Sequence, residues 1–265
     1  MRRIEVHGHR GARARYPENT LPAFEYAIAV GVDAIELDVA VTRDDVVVVA
    51  HDPVLAGPLC RGPVERAVIR ESSFSEVRRW DCGSMRHTDF PRQQTSPGAR
   101  VPSLDEVFAL APRGVFHFNI EIKSHPDHPE LAPEPQEFAR LVLESIRKYT
   151  LDQRAIVQSF DFRVLHAMRK LAPEIPLAAL FEDGRDFVEA AHEAQAGSVA
   201  PEHRWVTSAK VQRAHATGIR VVPWTANTPA DWKRLQEAQV DGIITDDPAS
   251  LIDFLVVPSR IAVEL

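Results

Sequence analysis

Apolar residues fall along this chain in short runs, separated by longer stretches with helical periodicity. Strands are expected at Ile4–His7, Asp33–Val41, Val115–Ile122, Ala155–Gln158, Pro176–Phe181, Gly197–Ala200, Gly218–Pro223 and Asp241–Thr245. Helix-entry signals lie between most of them: Ser103-Leu104-Asp105-Glu106 is a capping box, and Asp247-Pro248 puts proline in a first turn. Eight strand-helix units in 265 residues predict an α/β fold of the TIM (β/α)8 barrel type, with functional side chains at the strand C-terminal ends. A doubly wound sheet would also alternate, but no glycine-rich dinucleotide turn accompanies it.

Polar residues interrupt this pattern where strands should end. Ala34-Ile35-Glu36-Leu37-Asp38-Val39 alternates with period two, so Glu36 and Asp38 share one strand face. Their side chains are then roughly 7 Å apart along the strand, close enough to raise each other's pKa unless a cation sits between them. A hard divalent metal resolves that conflict. Thr42-Arg43-Asp44-Asp45 followed by Val46–Ala50 reads as a hairpin with Asp44-Asp45 at its tip, a register that sets residue 38 opposite His51. On the third strand Asn119, Glu121 and Lys123 share a face, making Glu121 a third carboxylate ligand and placing Lys123 nearer the mouth to meet an anion. An internal Glu121–Lys123 ion pair filling the barrel is the competing reading. His9 and Arg10, just beyond the first strand, complete the cluster.

The stretch from about Val54 to Arg100 is too long for an ordinary strand-helix connection. It reads as a loop-rich insertion over the mouth of a single barrel domain spanning residues 1–265, anchored by Phe74 and Trp80. Its Arg61, Arg66, Arg70, Arg78 and Arg79 either recruit anions or are merely solvated. Glu18 and Asn19 are expected to shape and cap a first helix ending near Gly31. His7 reads as a hydrogen-bonded core residue, and His117, His125, His128, His166, His192, His203 and His215 as surface residues.

Composition narrows the partners. A net charge of −7 argues against a nuclease that grips a long polyanion, which usually shows a basic surface. No apolar run reaches membrane-spanning length and the chain opens directly on a strand, so a cytoplasmic protein without stable membrane association is expected. Cys60 and Cys82 would both be free thiols there.

Taken together, His9-Arg10-Gly11-Ala12, Pro17-Glu18-Asn19-Thr20, Glu36-Leu37-Asp38-Val39, His51-Asp52, Glu121-Ile122-Lys123, Trp224-Thr225-Ala226-Asn227 and Gly242-Ile243-Ile244-Thr245-Asp246 resemble the glycerophosphodiester phosphodiesterase family, in family order from end to end. The resemblance implies a TIM barrel, one divalent cation, and hydrolysis of glycerophosphodiesters to sn-glycerol 3-phosphate and an alcohol. It implies Glu36, Asp38 and Glu121 as metal ligands, His9 and His51 as the acid/base pair, and Arg10 and Lys123 as phosphate contacts. All-oxygen ligation favours Mg²⁺ or Ca²⁺. Two departures stand out: Thr42-Arg43-Asp44-Asp45 replaces the usual Thr-Lys-Asp-Gly hairpin, and Ala226 replaces a valine.

The groups themselves suit that chemistry, since a diester needs its charge neutralised, a nucleophile deprotonated and a leaving alkoxide protonated. Which histidine does which is open at this level. Trp224 either packs against substrate or closes the barrel top, and Asp246 braces Arg10 or a ligand. Three other functions compete: a related phospholipase-type enzyme acting on lysophospholipids or phosphoinositides, a non-catalytic phosphate-binding barrel, and a metal-dependent sugar-phosphate isomerase.

Overall fold

In the computed structural model, which describes residues 3–256, parallel strands form a ring with helices outside it. The chain runs β1 (Glu5–Gly8), α1 (Leu21–Val30), β2 (Ala34–Val41), β3 (Val47–Val49), β4 (Val54–Ala56), β5 (Arg66–Val68), α2 (Phe74–Val77), α3 (Leu104–Phe108), β6 (His117–Ile122) and α4 (Pro135–Lys148). It continues through β7 (Ala155–Ser159), α5 (Phe162–Leu171), β8 (Leu177–Phe181), α6 (Phe187–Ala194), β9 (Ser198–Pro201), α7 (Ser208–Ala216), β10 (Arg220–Val221), α8 (Pro229–Glu237), β11 (Gly242–Thr245) and α9 (Pro248–Val256). Strand order is β10-β9-β8-β7-β6-β2-β1-β11, every neighbouring pair parallel. Bonds from Asp241 N to Val221 O (2.9 Å) and from Ile244 N to Pro223 O (2.9 Å) join the two ends. This is the TIM barrel expected from the alternation, and all eight expected strands are its staves.

Local chemistry explains several boundaries. Ser103 caps α3, its hydroxyl accepting from Glu106 N while the Glu106 carboxylate accepts from Ser103 N at 2.8 Å. Gly31 ends α1 in the left-handed region. Every residue of β2 is buried, as a strand with neighbours on both edges and cover on both faces requires.

The hairpin register differs from expectation by one residue. Val39 faces Val49 and Val41 faces Val47, so Asp38 bonds Ala50 through its carbonyl at 3.0 Å rather than facing His51. The loop has three residues, not two, because Asp45 takes a left-handed φ of 57°, and Thr42 closes it through its carbonyl and hydroxyl.

The 54–100 insertion packs on β2 and β3 through a small second core, in which Leu55, Ile69, Val77 and Trp80 meet Ala40, Val48 and Ala50. Trp80 is 2% exposed and Phe74 packs beside it, as anchors should. Arg70 bonds Asp45 and the Thr42 carbonyl, and Arg78 bonds Glu106, so these two brace the insertion. The cysteine expectation is overturned: Cys60 and Cys82 form a disulfide. Paired backbone bonds between Arg61 and Asp81, both 2.8 Å, bring their chain neighbours Cys60 and Cys82 to a Cα separation of 4.1 Å. Both cysteines are thus paired, and the free thiols expected of a reducing compartment are not there.

Gly8 is where the barrel meets the site turn. A Cβ there would lie 2.1 Å from the Gly11 carbonyl oxygen, a contact only backbone movement can relieve. Gly8→Ala should therefore lower stability by about 1–3 kcal/mol, read from the denaturation midpoint, as overpacking at a rigid position does. An unchanged midpoint would mean the turn relaxes freely.

Candidate active site

The site begins where β1 turns. Arg10 (φ 49°) and Gly11 (φ 86°) are both left-handed, and Gly11 N bonds the Gly8 and Glu36 carbonyls at 3.1 Å each. A non-glycine residue held at positive φ signals a constrained position. The constraint aims the Arg10 backbone N–H at Glu36 Oε2, 2.8 Å away.

Glu36, Asp38 and Glu121 converge. The parallel register sets Asp38 directly opposite Glu121, and one oxygen from each of the three carboxylates lies within 4.8 Å of the others. All three are buried. Gln158 donates to Glu36 Oε1 at 3.1 Å and is itself held by Asn119 at 3.1 Å. Asn19 donates to Asp38 Oδ2 at 2.9 Å, where Arg10 Nε also stands 3.3 Å away. Lys123 pairs with Glu121 at 3.0 Å, so the ion pair foreseen as a competing reading is present, while Lys123 still lines the cavity.

Burial, then the charges of Asp38 and Glu121, push the Glu36 carboxyl well above its usual range. Glu121 is raised by burial and Asp38, with Lys123 opposing. Asp38 goes the other way: burial works against its charge, but Arg10, His51 and Lys123 together hold it below the usual carboxylate range. Within the triad one buried acceptor has no donor. Asp38 Oδ1 is buried without a hydrogen bond, and Lys123 Nζ stands 4.0 Å from it. An all-oxygen donor set with an unpartnered buried oxygen fits a hard divalent cation.

The histidines flank this array. His9 Nδ1 pairs with Asp246 at 2.6 Å, and Asp246 is fixed in turn by Asn227 at 2.7 Å. His51 Nδ1 pairs with Asp52 at 2.7 Å, and its Nε2 meets Lys123 Nζ at 3.1 Å. Each imidazole is thus oriented by a carboxylate at Nδ1, and both line a cavity of about 370 Å³ with Arg10, Lys123 and Trp224. Trp224 is tied by its indole N–H to the Ala200 carbonyl at 2.8 Å and packs edge-on against Phe160, 5.5 Å between ring centres. It both closes the barrel top and forms a cavity wall.

Three expectations need correction. Glu18 and Asn19 do not cap α1, whose N-cap is Thr20; Glu18 pairs with Arg10 at 2.5 Å and Arg13 at 2.8 Å, and Asn19 serves Asp38. Asp246 braces His9 rather than Arg10 or a ligand. His203 and His215 are half-buried, paired with Arg234 at 3.1 Å and Asp241 at 2.8 Å, because each sits where a helix packs on its neighbour. His7 is the hydrogen-bonded core residue expected, 3.3 Å from Glu5 and 3.4 Å from Asn119. Arg13, Gln158 and Phe160 line the cavity without having been foreseen, and none of the five insertion arginines does. Only Arg13, four residues from His9, carried a local signal.

A TIM barrel with an acidic triad between two carboxylate-braced histidines defines a class of hydrolytic site. The family is identified directly: residues 9–250 match the model of the glycerophosphoryl diester phosphodiesterase family, and the chain belongs to it. It is 34% identical over 253 residues to the glycerophosphodiester phosphodiesterase of Caldanaerobacter subterraneus subsp. tengcongensis, covering 94% of this chain and 97% of that protein. A solved protein from Silicibacter pomeroyi DSS-3 superposes with a TM-score of 0.89 at 33% identity, over 96% of this chain and 94% of that one. An Oleispira antarctica phosphodiesterase, solved with the product sn-glycerol-3-phosphate, shares the fold at a TM-score of 0.82 and 20% identity, over 95% and 96% of the two chains. Among the described residues no helix is long and apolar enough to cross a membrane.

Burial holds the His9 pKa below its ordinary value near 6.5, with Asp246 opposing that shift. The unfolded chain therefore takes up this proton at a higher pH than the folded one, and stability is lost as pH falls through about 6.5. Asp246→Asn removes the opposing charge and should move the His9 titration lower still, followed by NMR of its ring. An unshifted or raised titration would contradict the bracing role.

Proposed function

We propose that the chain hydrolyses glycerophosphodiesters to sn-glycerol 3-phosphate and an alcohol, as a divalent-cation enzyme acting through His9 and His51. The observation that carries this is the carboxylate triad with its unpartnered Asp38 oxygen, whose Glu36 and Glu121 share one cavity with His9, His51, Arg10, Arg13 and Lys123. The activity of the Caldanaerobacter relative and the family match support the same reading. Glu36, Asp38 and Glu121 would hold Mg²⁺ or Ca²⁺, which when bound supplies positive charge to the phosphate.

The chain's own groups do the rest. Arg10 and Lys123 face the diester charge, with Arg13 beside them. His9, kept largely neutral by burial, suits proton acceptance, while His51, beside Lys123 and Asp52, is placed to exchange a proton with the other ester oxygen. The glycerol arm brings its own nucleophile: a hydroxyl adjacent to the phosphoester has a large effective-concentration advantage over water. A five-membered cyclic phosphate would then form as the alcohol leaves, and water would open it with the histidine roles reversed. Residues 1–265 act as one catalytic domain in this reading, with residues 1–2 and 257–265 outside the described part, and the 54–100 insertion packs beside the site on β2 and β3. The buried carboxylate array disfavours a phosphate-binding barrel without catalysis, which needs no such concentration of negative charge.

Exhaustive chelation should abolish release of glycerol 3-phosphate from a panel of glycerophosphodiesters, and either cation should restore it. Full turnover in chelator would refute the metal requirement. His9→Ala and His51→Ala should each cut turnover by roughly 10²-fold or more with the fold intact by circular dichroism. Near wild-type turnover in either would remove that residue from the chemistry. A substrate analogue lacking only the adjacent hydroxyl should bind without turnover; cleavage at a comparable rate would rule out the cyclic route.

A further inference from the structure

Arg10 faces strong competition for its charge. Its Nε stands 3.3 Å from Asp38 and a terminal nitrogen donates to Glu18 at 2.5 Å, so two carboxylates already claim one guanidinium. Arg13 alters that balance. It reaches the other Glu18 oxygen at 2.8 Å, and the side chains of Arg10, Glu18 and Arg13 are all largely withdrawn from water. Two guanidinium groups against one carboxylate leave this triplet net positive, and burial limits screening of that charge.

Hydrogen bonds to acids do not hold Arg13 in place. Among the described residues, Glu18 Oε2 and Arg13 Nε are both buried without a hydrogen bond, the latter 4.0 Å from Asp246. The insertion supplies the hold instead. The Phe90 ring centre lies 5.1 Å from the Arg13 guanidinium carbon, and His87 Nε2 is 3.4 Å from a terminal nitrogen. Gln93, 3% exposed, donates to the Arg13 carbonyl at 2.6 Å and the Tyr16 carbonyl at 3.2 Å, and accepts from His87 N at 2.8 Å. Residues 87–93 thus form one clamp. The arm that carries it is fixed at its base, where the Asp81 carboxylate accepts from Gly83 N and Ser84 N at 2.9 Å and Gly98 N at 3.0 Å, and Cys82 is bridged to Cys60.

We infer that Arg13 is a positioning residue: the insertion, through His87, Phe90 and Gln93, holds it against Glu18, so that the charge of Arg10 stays available to the phosphate. This rests on the diesterase reading above. Without Arg13, Glu18 and Asp38 together would outweigh the single Arg10 charge, and the mouth of the carboxylate array would repel an anion more strongly. The insertion then acts on the site without touching substrate.

Calorimetric titration of the whole protein with sn-glycerol 3-phosphate, at fixed Mg²⁺, reads this charge balance. Arg13→Gln should weaken binding roughly tenfold, as loss of a charged partner does. Adding Glu18→Gln restores one net positive charge on Arg10 and should recover most of that loss, a coupling that a merely structural role would not produce. Arg13→Lys keeps the charge without the planar face that Phe90 covers and should fall between wild type and Arg13→Gln. Phe90→Ala should weaken binding roughly threefold with circular dichroism unchanged. Wild-type affinity in Arg13→Gln, or a double variant no tighter than the single one, would overturn the charge-balance role, and unchanged binding in Phe90→Ala would overturn the clamp. If Arg13→Gln does not fold, Arg13→Lys and Phe90→Ala decide the matter, wild-type affinity in both overturning the inference. A wild-type protein that neither binds sn-glycerol 3-phosphate nor releases it from any glycerophosphodiester would refute the diesterase reading itself.

Discussion

Three buried carboxylates within one small volume are the constraint around which the rest of this molecule is arranged. Like charges that close, and withdrawn from water, oppose folding unless positive charge or donors compensate them. The barrel register makes the conflict unavoidable, because pairing Asp38 with Glu121 and Glu36 with Asn119 puts all three acids on the inner face at one end. Compensation comes from every side: the strained Arg10 backbone, the Asn119–Gln158 relay, Asn19, and the cationic heads of Arg10 and Lys123. It is incomplete at Asp38 Oδ1, and the protein keeps Glu36 shifted towards its protonated form. Such an arrangement is compatible with a divalent cation.

The outer shell of the site repeats one device. Arg10 and Arg13 share Glu18, Asp246 is clamped by Asn227 while holding His9, and Asp52 holds His51. His9 is therefore oriented from a distant segment that the parallel pairing of the barrel brings beside it, and His51 by its own chain neighbour. The insertion packs on β2 and β3 through its own small core around Trp80 and borders a second cavity that His51 also lines.

Much of this was legible in the sequence because it is local. Period-two alternation in Ala34–Val39 and Phe118–Lys123 fixes which residues face inward, and helix caps such as Ser103 and Gly31 mark boundaries by short-range chemistry. What failed was long-range or depended on one dihedral. The hairpin shifted by a residue because Asp45 tolerates a left-handed conformation that its neighbours do not adopt. Glu18 and Asn19 read as belonging to the helix that follows them, whereas they pair with Arg10, Arg13 and Asp38, and Asp246 meets His9, one residue before the Arg10 expected for it. The Cys60–Cys82 bridge depends on how the insertion folds back at Arg61 and Asp81, which no spacing rule reveals. Gln158 and Phe160 carry no motif at all and are found only once the barrel closes.

Binding of a divalent cation by the Glu36, Asp38 and Glu121 carboxylates is tested most directly by a melting experiment on the chelated protein. At roughly a hundredfold excess over Kd, Mg²⁺ or Ca²⁺ should raise the wild-type midpoint by about 5–10 °C with one ion bound per chain, and Asp38→Asn should lose most of that rise. A wild-type midpoint indifferent to either ion, or an equal rise in the Asp38→Asn variant, would contradict it.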